Sequence, residues 1–248
     1  MIGKGARVTD RVGGALIPLA RVVDDTRMRL IAHRGFAAVA PENTVAAVRA
    51  AADRADAVEF DVRRCGSGEL VVIHDDTIDR VTEGTGRVVD CPLEELQRYT
   101  VLDADETIPT LAEVLEALPP DVNVNLELKD EDIAADVLET LADADVPNRV
   151  VLTSFLISEL RRVRDLEPSQ PTGLLVSRDQ RRPVTTAVEL GCAVVGAHSR
   201  RCLLTRLVPR AKAVGLEVHA WSVPGPTVAR ILGWRGVDYV SSDRPLSV

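Results

Sequence analysis

The chain has 248 residues, of which 46% are hydrophobic, 27% charged and 3% aromatic, with a formal net charge of −8. That composition excludes wholesale disorder and a collagenous or low-complexity chain, and no apolar run approaches the ~20 residues needed to span a bilayer. A negative chain is a poor general nucleic-acid binder, whose affinity would rest on clustered Lys and Arg. The apolar stretch Val12 to Ala20 contains Gly13, Gly14 and Pro18 and lacks a small-residue cleavage site. It reads as a poor signal peptide, so a cytoplasmic protein without stable membrane insertion is expected. Cys65, Cys91, Cys192 and Cys202 show no C-x-x-C spacing and read as reduced, mostly buried residues.

After an N-terminal extension over residues 1–28, short β-branched runs alternate with helical patterns through residues 29–248. Strands are predicted over Leu30–His33, Ala57–Val62, Leu70–His74, Val122–Leu128, Val150–Phe155, Gly173–Val176, Ala193–Ala197, Leu216–Trp221 and Asp238–Ser241. Helices are predicted over Glu42–Asp53, Thr110–Ala117, Ile133–Ala142, Ser158–Leu166, Pro183–Leu190, Thr205–Val214 and Pro226–Leu232. Repeated βα spacing points to a parallel sheet covered by helices. Nine runs exceed an eight-stranded barrel by one. Cys65-Gly66-Ser67-Gly68-Glu69 resolves this: its glycines favour a tight reversal, so Leu70–His74 returns as a hairpin partner of Ala57–Val62. The fold class is then α/β, a TIM-type (β/α)₈ barrel, with an open doubly wound sheet as the alternative. Residues 75–108 are polar and poor in helical pattern, and read as a small insertion over the barrel mouth.

Glu59 and Asp61 sit two apart on a strand and therefore share one face. Two carboxylates directed into a barrel repel each other and lose solvation, a problem that a divalent cation solves. The alternative is an exposed edge carrying two solvated acids. In Asp121-Val-Asn-Val-Asn-Leu-Glu-Leu-Lys129, Asn123, Asn125, Glu127 and Lys129 occupy one face and the apolar residues the other. In a barrel strand the polar set lines the interior, with Glu127 and Lys129 near the C-terminal mouth, where barrel active sites lie. His33, His74 and His198 fall at strand ends. Two histidines beside an inward carboxylate pair, with Arg34 and Lys129, suit phosphoryl chemistry, because one imidazole can accept a proton while another donates. Arg presents a bidentate fork to phosphate and Lys a point charge. Pro41-Glu42-Asn43-Thr44 opens the first helix, and Glu42 either initiates it or supports the site. Phe36, Phe155 and Trp221 could line a pocket or simply pack.

These residues fall into an ordered series: His33-Arg34-Gly35, Pro41-Glu42-Asn43-Thr44, Glu59-Phe60-Asp61-Val62, Val71-Val72-Ile73-His74-Asp75, and Thr77-x-x-Arg80-x-Thr82-x-Gly84-x-Gly86. It continues with Ile108-Pro109-Thr110-Leu111, Leu126-Glu127-Leu128-Lys129, and weaker matches at Thr153-Ser154-Phe155, Trp221-Ser222-Val223 and Ser242-Asp243-Arg244-Pro245. Over residues 29–246 the chain resembles the glycerophosphodiester phosphodiesterases. The resemblance implies a TIM-type barrel with a small insertion after the second barrel strand and its hairpin. It further implies hydrolysis of glycerophosphodiesters to glycerol 3-phosphate and an alcohol. It implies Glu59, Asp61 and Glu127 as ligands of a divalent cation, Mg²⁺ or Ca²⁺, and His33 and His74 as the acid–base pair. Arg34 and Lys129 match phosphate-binding positions, and Trp221 matches a substrate-binding one. The chain departs from the family pattern at Leu156, His198 and Pro224, around the pocket that would take glycerol or the leaving alcohol. Related readings are a barrel acting on lysophospholipids or sugar phosphodiesters, and a non-catalytic barrel binding a phosphorylated ligand.

Overall fold

The computed structural model describes residues 27–119, 121–144 and 149–247. Most of the N-terminal extension, including the Val12–Ala20 stretch, lies outside the described residues. Eight parallel strands form a closed barrel: β1 (Arg29–Ala32), β2 (Ala57–Arg64), β4 (Asn123–Leu128), β5 (Val150–Ser154), β6 (Thr172–Val176), β7 (Val194–His198), β8 (Glu217–Trp221) and β9 (Tyr239–Ser242). Closure comes from β1, which pairs with β2 on one side and β9 on the other. The ninth strand, β3 (Leu70–Val72), runs antiparallel to β2, with Val62 opposite Val72. The hairpin read from the Gly66 and Gly68 turn is therefore present, and the open-sheet alternative is not what forms.

The alternation along each strand divides the molecule into two environments. Val58, Phe60 and Val62 of β2 join Val124, Leu126 and Leu128 of β4 in a core shared with the helical shell. Glu59, Asp61 and Asn125 take the opposite, interior face and are nonetheless buried. The shell consists of α1 (Val45–Ala52), α3 (Leu111–Glu116), α4 (Ala134–Asp143), α5 (Ile157–Leu166), α6 (Pro183–Glu189), α7 (Ser199–Leu204), α8 (Leu207–Ala213) and α9 (Pro226–Trp234). Their inward residues, such as Val48, Val114, Val137, Leu160, Val208 and Leu232, complete that core. Each fully buried aliphatic side chain is worth about 1.5–3 kcal/mol of transfer free energy.

Two differences from the sequence reading stand out. The first helix begins at Val45 rather than Glu42, because Thr44 accepts from the Ala47 amide at 3.2 Å and caps it. That frees Glu42 and Asn43 to reach the barrel mouth. Helix α7 was not anticipated; it follows β7 directly, so two helices cross between β7 and β8. Phe36 is 1% exposed and packs in the core, in agreement with the packing alternative read from sequence.

Residues 75–108 carry a short helix, α2 (Leu93–Leu96), and a cluster of their own. Ile78, Val81, Val88, Leu96, Val101 and Ile108 pack with Cys65, Val71 and Ile73 beside the hairpin. A segment with its own apolar contacts can keep a fixed shape, and Arg80 on it reaches back to Glu42 at 2.7 and 2.9 Å. The opposite end of the barrel is closed by a polar network. Glu217 accepts from Arg29 at 3.1 Å, Arg149 at 3.0 Å and the Tyr239 hydroxyl at 3.1 Å. All four cysteines are free and buried. No helix among the described residues is long and apolar enough to cross a membrane.

Candidate active site

The C-terminal ends of β1, β2 and β4 bring the charged residues together. Asp61 of β2 lies directly opposite Glu127 of β4 in the parallel register, and Glu59 lies two residues below Asp61 on the same face. One oxygen from each of Glu59, Asp61 and Glu127 falls within 4.8 Å of the others. His33 and Arg34 follow β1, and His74 follows the return strand β3.

Backbone conformation sets the orientation of several of these groups. After β1 the chain turns through Arg34, Gly35 and Phe36, all at positive φ. At Gly35 a Cβ would stand 2.6 Å from the Ala47 Cβ and 2.7 Å from the Ala47 carbonyl carbon, so only glycine fits against α1. This turn points the Arg34 amide at Glu59, which accepts it at 2.8 Å. Asn43, also at positive φ, donates to Asp61 at 3.0 Å and accepts the Asp61 amide at 3.3 Å. Asn tolerates that left-handed geometry better than most residues.

Each histidine is gripped at Nδ1 by a carboxylate, which can only accept. His33 donates to Asp243 at 2.6 Å, and His74 donates to Asp75 at 2.6 Å. In both rings this leaves Nε2 as the working nitrogen. The His33 Nε2 lies 4.0 Å from Glu59. Arg80 binds both Asp75 and Glu42, and Glu42 in turn accepts from Arg34 at 2.9 Å. The insertion, the segment leading into α1 and the turn after β1 are thus tied into one ionic frame. Lys129 donates to Glu127 at 2.9 Å and sits 3.4 Å from Asp61.

Electrostatics differentiates these groups. Burial, reinforced by the charge of Asp61, pushes Glu59 up to about 8. Glu127 is raised for the same two reasons. Asp61 is equally buried, but Lys129, His74 and Arg34 hold it below the ordinary carboxylate range. His33 would be lowered by burial, yet Glu59 and Asp243 outweigh that and raise it. For His74, burial prevails over the attraction of Asp61 and lowers it. Asp75, despite partial desolvation, is held at about 2 by Arg80 and His74 and stays ionised.

The donor set fits a hard divalent cation. It is all carboxylate, and the burial and mutual repulsion that raise Glu59 and Glu127 are what a dication would relieve. Asp61 Oδ1 is buried and makes no hydrogen bond, having only its ion-pair contact with Lys129. Arg34 Nε is buried too, and faces Asp61 Oδ2 at 3.5 Å as an ion pair rather than as a hydrogen bond. The buried Asp61 oxygen keeps a lone pair free for a ligand.

Seven of the eight site residues expected from sequence converge here. Trp221 stands apart, at the end of β8, in edge contact with Phe155 at 5.8 Å and with His198 at 5.4 Å between ring centroids. Sequence reasoning missed the positioning roles of Asp243, Arg80 and Asn43. Asp75 follows His74 directly and could have been found from that adjacency. Asp243 is 210 residues from His33 and becomes its neighbour only when β9 closes against β1.

The closed barrel, the hairpin after its second strand and the carboxylate cluster at its C-terminal mouth together define a barrel with the layout of a phosphoryl-transfer enzyme. Residues 33–247 match the model of the glycerophosphoryl diester phosphodiesterase family, and the chain belongs to that family. A glycerophosphodiester phosphodiesterase of Caldanaerobacter subterraneus subsp. tengcongensis is 32% identical over 229 residues, covering 87% of this chain and 94% of that protein. Among solved structures, an Oleispira antarctica phosphodiesterase in complex with the product sn-glycerol-3-phosphate is similar with a TM-score of 0.82 and 31% identity. That match covers 88% of this chain and 93% of the other. A glycerophosphodiester phosphodiesterase from Agrobacterium tumefaciens matches with a TM-score of 0.77 and 26% identity, covering 88% and 97%.

Proposed function

We propose that this protein hydrolyses glycerophosphodiesters to glycerol 3-phosphate and an alcohol at the C-terminal mouth of its barrel. The observation that carries this reading is the convergence of Glu59, Asp61 and Glu127, within 4.8 Å of one another, in a member of this family. Glu59, Asp61 and Glu127 would hold a divalent cation, Mg²⁺ or Ca²⁺. When bound there, such a cation supplies Lewis-acid polarisation of the phosphoryl oxygens.

Arg34 and Lys129 bind the non-bridging phosphate oxygens. Arg34 is anchored by Glu42 and Asp61, and Lys129 stands at the rim of the carboxylate cluster. Both are held ready by Glu42 and Glu127 respectively, so little side-chain freedom is lost on binding. His33 acts as general base through Nε2, with Asp243 fixing the ring and stabilising its protonated form. Burial disfavours the charged His33 ring, and Glu59 and Asp243 favour it, so the proton the ring takes up is accommodated beside these carboxylates. His74 acts as general acid and passes its Nε2 proton to the leaving alcohol. Ionised Asp75 supports the charged ring, and the negative phosphoryl group adds to that support. The Trp221 and Phe155 rings at the far side of the mouth contact the substrate away from the reacting phosphorus.

The test is an assay of purified protein on glycerophosphocholine, with coupled detection of glycerol 3-phosphate, before and after chelation and with Mg²⁺ or Ca²⁺ restored. Turnover that is lost on chelation and recovered with one of these cations is expected. Absence of glycerol 3-phosphate under every condition refutes the activity, and full turnover after chelation verified by metal analysis refutes the cation dependence.

A further inference from the structure

Charge is distributed very unevenly over this acidic chain. Residues 177–210 carry seven arginines against two acids, Asp179 and Glu189, in a protein of net charge −8. These arginines come from the loop after β6 and from α7 and α8, and the fold gathers them beside the barrel mouth. A groove of about 570 Å³ opens there, lined by Arg178, Arg200 and Arg201 together with His198, Leu204 and Trp221. Arg201 and Thr205 also line a second groove that extends outward past Arg181, Arg182, Arg206 and Arg210.

The arginines differ in what they do. Arg201 is spent on structure: it donates to the carbonyls of Ser177, Arg178 and Gln180 and so pins the loop after β6 to α7. Arg178 and Arg200 are exposed, and among the described residues neither forms an ion pair with a carboxylate. At the catalytic end of the mouth, by contrast, Arg34 and Lys129 are engaged with carboxylates. The inner wall of the groove is Trp221, the residue of β8 paired with His198 of β7. The groove therefore begins where the mouth ends and is cationic along its outer side.

We infer that this groove is the subsite for the leaving alcohol, and that it selects alcohols carrying a further negative charge, such as a second phosphodiester. The inference rests on the diesterase reading above. A cationic alcohol such as choline would meet Arg178 and Arg200 with like charge, whereas an anionic one would find two unpaired guanidinium forks. For bis(glycerophospho)glycerol the reaction is balanced by one water. The bond from phosphorus to the central glycerol oxygen breaks, and a phosphorus–hydroxyl bond forms. The remaining water proton ends on the leaving hydroxyl, giving glycerol 3-phosphate and glycerophosphoglycerol.

The experiment measures kcat/KM for bis(glycerophospho)glycerol, glycerophosphoglycerol and glycerophosphocholine, with wild type, with the R178A/R200A double variant and with R178K/R200K. Wild type should prefer the doubly charged substrate over glycerophosphocholine by about tenfold, the scale of two partly exposed charge pairs. The preference should collapse in R178A/R200A, survive largely in R178K/R200K, and shrink in about 0.5 M NaCl. Glycerophosphocholine kcat/KM should rise modestly in R178A/R200A, where the like charge is gone, and stay at the wild-type level in R178K/R200K. Equal kcat/KM for all three substrates, or a preference that persists in R178A/R200A, overturns the subsite while leaving the activity in place. No turnover of any of the three overturns the activity itself and the subsite with it.

Discussion

Cation binding at Glu59, Asp61 and Glu127 should release protons, and the amount follows from the site. The protein's own charges push Glu59 up to about 8, through burial and the proximity of Asp61. At pH 7 a carboxyl with that pKa holds about 0.9 proton, which a bound dication must displace. Apparent affinity should therefore fall nearly tenfold per unit below pH 8, and be about 50-fold weaker at pH 6 than at pH 8. Glu127, raised as well, adds to the release. Calorimetric titration of chelated protein with Mg²⁺ or Ca²⁺, in buffers of different ionisation enthalpy, reads the proton count directly. Glu59→Gln should remove most of the release along with most of the affinity. A release below about half a proton at pH 7, with affinity flat from pH 6 to 8, would refute the reasoning.

The remaining expectations concern catalysis and stability. His33→Ala and His74→Ala should each lower kcat by about 10²–10⁴-fold with the fold intact by circular dichroism. A nitrophenyl leaving group should partly rescue His74→Ala but not His33→Ala, and the opposite pattern would exchange the two roles. Glycerophosphodiester lacking the glycerol 2-hydroxyl should turn over far more slowly if that hydroxyl is the nucleophile, and comparable rates would assign attack to water instead. His219, buried and hydrogen-bonded to Ser241 at 2.7 Å, is lowered to about 3, by burial first and then by the positive charge of His33. Between 6.5 and 3 the unfolded state binds this proton and the folded state refuses it, so stability falls as pH falls through that window. From pH 6.5 to 4.5 that group alone costs about 2.3 kcal/mol. Urea denaturation at the two pH values should show His219→Gln losing less stability than wild type by that amount, and an equal loss in both would exclude the effect.

Much of this protein was legible in its sequence because its barrel strands separate two environments residue by residue. From Val58 to Arg63 in β2 and throughout β4 apolar and polar positions alternate, so the faces carrying Glu59, Asp61 and Glu127 followed from a period of two. The hairpin followed from two glycines, and the eight-fold count from that hairpin. Element ends were less legible, since capping by Thr44 and the left-handed turn at Asn43 moved the start of α1 by three residues. Tertiary structure alone decided the contacts made by closing the cylinder. The pairing of β9 with β1 carries Asp243 to His33, and the folding of the insertion carries Arg80 to Glu42. It also gathered Arg178, Arg200 and Arg201 on one side of the mouth, from two segments whose separate charge patterns say nothing of a shared groove. Local sequence sets which face a side chain takes, but chain closure over 200 residues sets which face it meets, and no short-range pattern encodes that distance.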